Sequence, residues 1–251
     1  MPLPSPTPLS YPTQRMPPDG QAVKTDFAFM KIAIIVAMGK ELDLLLHLLE
    51  NHSEVVANDI TFHVGTIGTR EIVAMQCGIG KVNAAVGTLT MIENFHPALI
   101  INTGVAGGTG AADILDVVVA SQVAYHDVWC GPGTTPGQAA GCPARFDCAL
   151  PEKYASRIPG AKFGPIISGD IFVSRPDEVR HILWLYPDAL AVDMESAAIA
   201  QVCHIKHVPF ICLRVISDTP GGADNISQYE NFWTDAPRHT FEALNTLLEL
   251  L

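Results

Sequence analysis

Residues 191–200 read Ala191-Val192-Asp193-Met194-Glu195-Ser196-Ala197-Ala198-Ile199-Ala200, and the division of this stretch decides the fold. Leu190 to Val192 have the apolar character of a buried strand end, inside a strand expected over 189–194. From Ser196 onward, small apolar residues predict a helix packed closely on its neighbours. Two carboxylates, Asp193 and Glu195, sit at the junction and flank Met194. In α/β sheets, ligands bind in the crevice beyond the strand ends, because side chains at such junctions point into it. Acids at a helix N-terminus are also stabilising on electrostatic grounds alone. The junction by itself therefore carries a structural reading beside the functional one.

The rest of the chain has the same alternating character. Ile32-Ala33-Ile34-Ile35-Val36 is an unbroken apolar strand of the kind buried on both faces. Ala37-Met38-Gly39-Lys40 turns the chain, and Glu41 opens a helix rich in leucine. Residues 54–77 predict antiparallel hairpin strands, with Gly65-Thr66-Ile67-Gly68 as turn material. Gly78-Ile79-Gly80-Lys81-Val82-Asn83 leads into a helix ending near Glu93. It is not a phosphate loop, since the full glycine spacing and the Ser or Thr after the lysine are missing. A strand over 98–102 runs into Thr103–Gly108, read as turn material, and a further strand covers 117–124. Residues 129–143 form a loop with four glycines and three prolines, too long and stiff for a mere connector and hence functional or interfacial. A strand over 164–173, a helix over 176–185 and a last core strand over 210–216 follow, the last running into Ser217-Asp218. Residues 219–230 read as a polar loop and 231–251 as the final helix. This succession, with no internal linker, predicts a single α/β domain over 30–251: a central mixed sheet flanked by helices. Residues 1–29 stand outside it. Seven prolines fall in the first 18 positions without any periodicity, the composition of a disordered extension.

Composition narrows the function. The chain of 251 residues is 48% apolar and 16% charged, enough for one sizeable core. Its net charge of −11 leaves no basic surplus to neutralise phosphates, which excludes a nucleic-acid partner. No apolar run reaches the length of a membrane span. Six cysteines show no CxxC pair and no paired metal-ligand spacing; they read as reduced thiols of a cytoplasmic protein. No metal or cofactor is expected. His126 stands without a partner histidine or cysteine at useful spacing and reads as a satisfied structural histidine.

Three acids stand at strand ends or helix starts: Glu41, Glu195 and Asp218. Each alone fits a first-turn acid or a cap. Gathered at one sheet edge beside Phe172 and Arg214, they suit a site for a polar, planar ligand.

These residues lie in a pattern that resembles the 5′-methylthioadenosine/S-adenosylhomocysteine nucleosidases of the nucleoside phosphorylase superfamily. The matching segments are 31–38, Gly78-Ile-Gly-Lys-Val82, Ile101-Asn-Thr-Gly104 with Ala106-Gly-Gly108, Tyr125-His-Asp127, Ser168-Gly-Asp170 with Phe172, Val192-Asp-Met-Glu195 and Arg214-Val-Ile-Ser-Asp218. The likeness runs in order through 30–251. It implies a nucleoside phosphorylase-like fold and hydrolysis of the N-glycosidic bond of 5′-methylthioadenosine and S-adenosylhomocysteine, releasing adenine and the 5′-thio-ribose for methionine salvage. By the same resemblance Glu41 is the general base on water, and Arg214 helps hold that water and the ribose. Glu195 bonds the ribose hydroxyls with Met194 packed on the sugar, and Asp218 delivers a proton to adenine N7. Phe172 stacks on the base, the Val173 backbone reads its edge, and Tyr229 borders the sugar's 5′ end. Val105 stands where many relatives have a serine near the attacking water, and Gly39 and Lys40 replace acids common before the base. Loop 129–143 is one residue shorter than in well-known members and lacks the aromatic residue at its tip. The resemblance also implies a homodimer in which that loop enters the partner's 5′-substituent pocket. A purine nucleoside phosphorylase and an aminofutalosine nucleosidase are the alternatives; the phosphorylase needs a cationic phosphate site near Glu41, where Lys40 is the one nearby cation.

Overall fold

The apolar run Ile32–Val36 forms β1, and its alternate side chains enter two different cores. Ala33 and Ile35 pack with Val73, Met75, Ala84, Met91 and Ala198. Ile32 and Ile34 pack with Leu45, Ile72, Ile101, Leu213 and Leu244. A strand covered on both faces gains nothing from polar alternation, which is why its sequence is continuously apolar. The structure, a computed structural model, describes residues 31–235 and 239–251; the extension 1–29 expected from the sequence lies outside the described residues.

Around β1 lie β2 (Glu50–Ala57), β3 (Ile60–Ile67), β4 (Arg70–Gln76), β5 (Leu99–Gly108), β6 (Val117–Tyr125), β7 (Phe146–Asp147), β8 (Ala161–Ser168), β9 (Ala191–Asp193) and β10 (Phe210–Asp218). The sheet is mixed: β1 is parallel to β4 and β5, β5 is parallel to β10, and β2–β3–β4 form an antiparallel meander at one edge. At the other side the pairings β5–β10, β10–β6, β6–β8, β8–β9 and β9–β5 close into a ring. Helices α2 (Lys81–Phe95) and α5 (Ser196–Lys206) cover the first core, while α1 (Gly39–Leu46), α6 (Asn225–Asp235) and α7 (His239–Leu250) cover the second. The short α3 (Glu152–Ala155) joins the second core, and α4 (Pro176–Leu185) closes a smaller cluster around Ile167, Val173 and Ile182. Layers of helix on both sides of one sheet make this a single α/β domain, as the alternation of elements predicts.

Several boundaries differ from the sequence expectation. Residues 65–67 continue β3 rather than turning; the hairpin turns are Asn58-Asp59, both at positive φ (50° and 60°), and Gly68-Thr69 with Gly68 at 59°. A two-residue hairpin requires φ > 0 at both central residues or at the first; Asn58-Asp59 supplies both and Gly68 the first. Thr103–Gly108, read as a turn, extends β5 by six residues because its small side chains let β10 and β9 pair closely on it. The strand expected over 164–173 starts earlier and stops at Ser168, and that over 189–194 narrows to Ala191–Asp193. The polar loop 219–230 is in part helical: α6 begins at Asn225. Its own composition is a weak helix former, and Phe232, buried in the second core, holds it in place. The final helix is the separate α7.

Candidate active site

The C-terminal ends of β1, β8, β9 and β10 open on one cleft with the outer half of β5 and the side of α6. The cleft is partly open to solvent and is mostly apolar with a few convergent polar groups. That is the character of a small-molecule site. All nine residues singled out from the sequence line it: Glu41, Val105, Phe172, Val173, Met194, Glu195, Arg214, Asp218 and Tyr229.

Glu41 sits in the first turn of α1 and is 2% exposed. Its Oε2 accepts the backbone N–H groups of Ala37 and Met38, both at 2.9 Å, and its Oε1 accepts that of Val105 at 3.1 Å. Gly104 makes this possible, since a Cβ there would stand 2.4 Å from Glu41 Oε1. Burial pushes the Glu41 carboxyl above its usual range, while Arg214 and the three N–H donors oppose the rise. Val105 thus contributes its backbone N–H to the site.

Arg214 is fully buried in β10, and its Nη2 pairs with Asp193 Oδ2 at 2.8 Å. Its Nη1 donates to the carbonyls of Asn102 and Leu213, and Nη2 to the Asn102 side chain. Asp193 Oδ1 in turn accepts from the Ser196 hydroxyl at 2.9 Å. Glu195, the cap residue of α5, turns the other way: its Oε1 accepts the Gly80 N–H at 2.8 Å, across from the start of α2. Burial first, and the nearby charge of Asp193 second, raise the Glu195 carboxyl to about 7. Three carboxyls, Glu41, Asp193 and Glu195, therefore surround one guanidinium. The carboxyls outnumber the cation, an arrangement that suits a ligand developing positive charge.

Asp218 ends β10 at 3% exposure. Ser217 Oγ donates to its Oδ1 at 2.5 Å, and Asn225 Nδ2 donates to its Oδ2. Burial raises this carboxyl despite both donors, which favours its protonated form. At the rim, Phe172 meets Tyr229 edge-on at 5.6 Å between ring centroids, and the Tyr229 hydroxyl points to Met38 Sδ at 3.2 Å. Lys40 does not line the cleft; its ammonium lies over the Trp233 ring at 5.6 Å. Among the described residues lining the cleft, Arg214 is the one cation.

Comparison with known proteins agrees with this geometry. The phosphorylase superfamily profile matches residues 31–249. The 5′-methylthioadenosine/S-adenosylhomocysteine nucleosidase of Anoxybacillus flavithermus is 37% identical over 231 residues, covering 88% of this chain and 99% of its own length. Among solved structures, the S-adenosylhomocysteine nucleosidase of Streptococcus pyogenes in complex with 5-methylthiotubericidin superposes with a TM-score of 0.82 at 37% identity, over 88% of this chain and 97% of its own. The Neisseria meningitidis nucleosidase in complex with methylthio-immucillin-A superposes with a TM-score of 0.83 at 33% identity, over 88% and 100%. The chain belongs to this nucleosidase family.

Within the family frame, the residues that hold the others in place have no such role in their sequence pattern alone. Asp193 and Asn102 orient Arg214, Ser217 and Asn225 hold Asp218, and Gly80 anchors Glu195. Asn102 left a signal, since a polar side chain ending a buried apolar strand must find partners. Asn225, in what read as a loop, left none. His126 was expected to be a satisfied structural histidine. It is buried outside the cleft lining, against Gly169, but its Nε2 has no hydrogen-bond partner among the described residues.

The raised Glu195 carboxyl links this nucleosidase site to stability. The folded chain binds the Glu195 proton more tightly than the unfolded chain, whose carboxyl titrates near the usual 4.5. Its stabilising contribution is full below that value and is lost as pH rises through about 7. Glu195→Gln, which keeps an acceptor for Gly80, is therefore expected to melt higher than wild type at pH 8, with the gap closing by pH 5. Thermal melts across that range check it; a gap independent of pH would contradict the assignment.

Proposed function

We propose that this chain hydrolyses the N-glycosidic bond of 5′-methylthioadenosine and S-adenosylhomocysteine, releasing adenine and the 5′-thio-ribose. The observation that carries the proposal is the meeting, in one cleft, of two buried carboxyls held by fixed donors: Glu41 by three backbone N–H groups and Asp218 by Ser217 and Asn225. Glycosidic cleavage needs both: a base on water and an acid on the leaving group. Glu41 takes the proton of the attacking water, and its fixed geometry aims the remaining lone pair of Oε1. Arg214, held by Asp193 and Asn102, orients water and ribose. Glu195 has Oε2 free for the ribose hydroxyls, with Met194 against the sugar. As the bond lengthens, positive charge grows on the sugar and is stabilised by the surrounding carboxyls. Asp218 gives its proton to adenine N7, since the purine anion is a poor leaving group. Phe172 stacks on the base, Val173 reads its edge, and Tyr229 with Met38 borders the 5′-thio group.

A phosphorylase would put phosphate where Glu41 stands. Glu41 repels that anion, and Lys40 is turned away onto Trp233. Incubation of the enzyme with 5′-methylthioadenosine, with and without phosphate, is the decisive test. Adenine and free 5-methylthioribose are expected in both cases at one rate. Formation of the sugar 1-phosphate, or a rate that needs phosphate, would overturn hydrolysis.

The homodimer is part of the proposal. Val82, Val86 and Leu89 leave an exposed apolar stripe on α2, continuous with Ile79 and Ile171 at the cleft. Such a stripe supports a two-fold interface, in which loop 129–143 of each subunit completes the partner's pocket. Sedimentation equilibrium is expected to give twice the chain mass, and Val86→Glu to give monomers with weakened substrate binding. An active wild-type monomer would refute the assembly.

A further inference from the structure

Outside the cleft, His52, Glu54 and His63 bring their donor atoms within 4.8 Å of one another, a grouping of histidine and carboxylate not reached from residue spacing. His52 Nε2 stands 2.9 Å from His63 Nδ1, and Glu54 Oε1 stands 3.7 Å from the same nitrogen. We propose that these three side chains form a zinc site on the β2–β3 hairpin, with water in the fourth position. Tetrahedral zinc at about 2.0–2.1 Å from each donor sets neighbouring donors about 3.3 Å apart, and the two observed spacings bracket that value. Two imidazoles and a carboxylate suit zinc, whereas magnesium and calcium take oxygen donors. The hydrogen now shared between the two rings moves to the far nitrogen of its own ring, so both facing nitrogens offer lone pairs.

The backbone is shaped for this arrangement. Glu54 lies directly opposite His63 in the antiparallel register. Between the pairs Glu50–Thr66 and Ser53–Val64, β2 holds two residues, Asn51 and His52, against the single Gly65 of β3. That is a bulge, the device by which strands re-aim a side chain. Asn51 takes the left-handed conformation it needs (φ 52°), and a Cβ on Gly65 would stand 2.6 Å from the Glu50 carbonyl oxygen. The bulge turns His52 onto His63, whose imidazole is buried while His52 and Glu54 are exposed. A metal here clamps the outermost strand of the sheet, whose neighbours Val55 and Val56 are exposed. Two strands, β3 and β4, separate β2 from β1, the nearest strand of the cleft, so the ion lies about 14 Å from it and takes no part in hydrolysis.

The test is calorimetric titration of the tag-free chain with zinc chloride, beside His52→Ala, Glu54→Gln and a magnesium control. One equivalent is expected to bind wild type, with affinity lowered more than about tenfold in either variant, and magnesium is expected not to compete. Cobalt in place of zinc should give the intense visible absorption of tetrahedral nitrogen and oxygen ligation in wild type and lose it in His52→Ala. His52 and Glu54 are exposed, so both variants should fold and turn over 5′-methylthioadenosine at the wild-type rate. No saturable zinc uptake by wild type, or equal uptake by wild type and His52→Ala, overturns the site.

Discussion

Asp218→Asn is expected to lower the turnover of 5′-methylthioadenosine by about two to four orders of magnitude, the loss that follows removal of a positioned general acid. Asparagine keeps the shape and an oxygen for the Ser217 or Asn225 donor, so the fold and the base pocket persist. What disappears is the transferable proton. The loss should therefore fall on kcat, with KM nearly unchanged, because the missing interaction strengthens only as the purine departs. A ribosyl substrate whose leaving group departs as a stable anion, such as p-nitrophenolate, needs no proton and should be largely spared. Near wild-type turnover of 5′-methylthioadenosine by Asp218→Asn would sink the assignment of the acid.

Glu41→Gln should be as damaging to kcat, again by about two to four orders of magnitude, but with a different signature. Here the nitrophenyl substrate is not spared, since activation of water is needed whatever group leaves. The variant also carries a structural cost. Both oxygens of Glu41 accept backbone N–H groups, so either orientation of the glutamine amide sets an NH2 against an N–H. Leaving a buried donor unpaired costs about 1–3 kcal/mol. Melting temperature and kcat must then be measured together. A variant that melts lower yet hydrolyses normally would show Glu41 to be a structural staple of the α1 start and not the base. A double variant with Asp218→Asn should lose less than the product of the two single effects, because acid and base act in one transition state.

The parts of this architecture legible in the residues were those governed by local periodicity. The unbroken apolar run of β1, the limits of α4 at Pro176 and Leu185, and the strand-to-helix junction at 193–196 all follow from short-range pattern. Each is a place where the local choice and the global packing agree. Glu41, Glu195 and Asp218 were legible for a related reason, since each stands where a regular element begins or ends.

Other features depend on what approaches from far along the chain. The stretch 103–108 reads as a turn by composition, and only the pairing of β10 and β9 on its small residues makes it strand. The helix at 225–235 is a poor helix by propensity, and burial of Phe232 decides it. The orientation of Arg214 comes from Asp193 and Asn102, 21 and 112 residues away in the chain. The His52–Glu54–His63 grouping exists because a bulge and a hairpin register set three side chains on one face. The sequence by itself determined the α/β class, the acids of the cleft and the family likeness, because these rest on pattern within a few residues or on motif order. The tertiary structure alone decided how the carboxyls are held, which are paired and which favour a proton. Desolvation and hydrogen bonding are properties of the assembled surroundings, and no local stretch contains them.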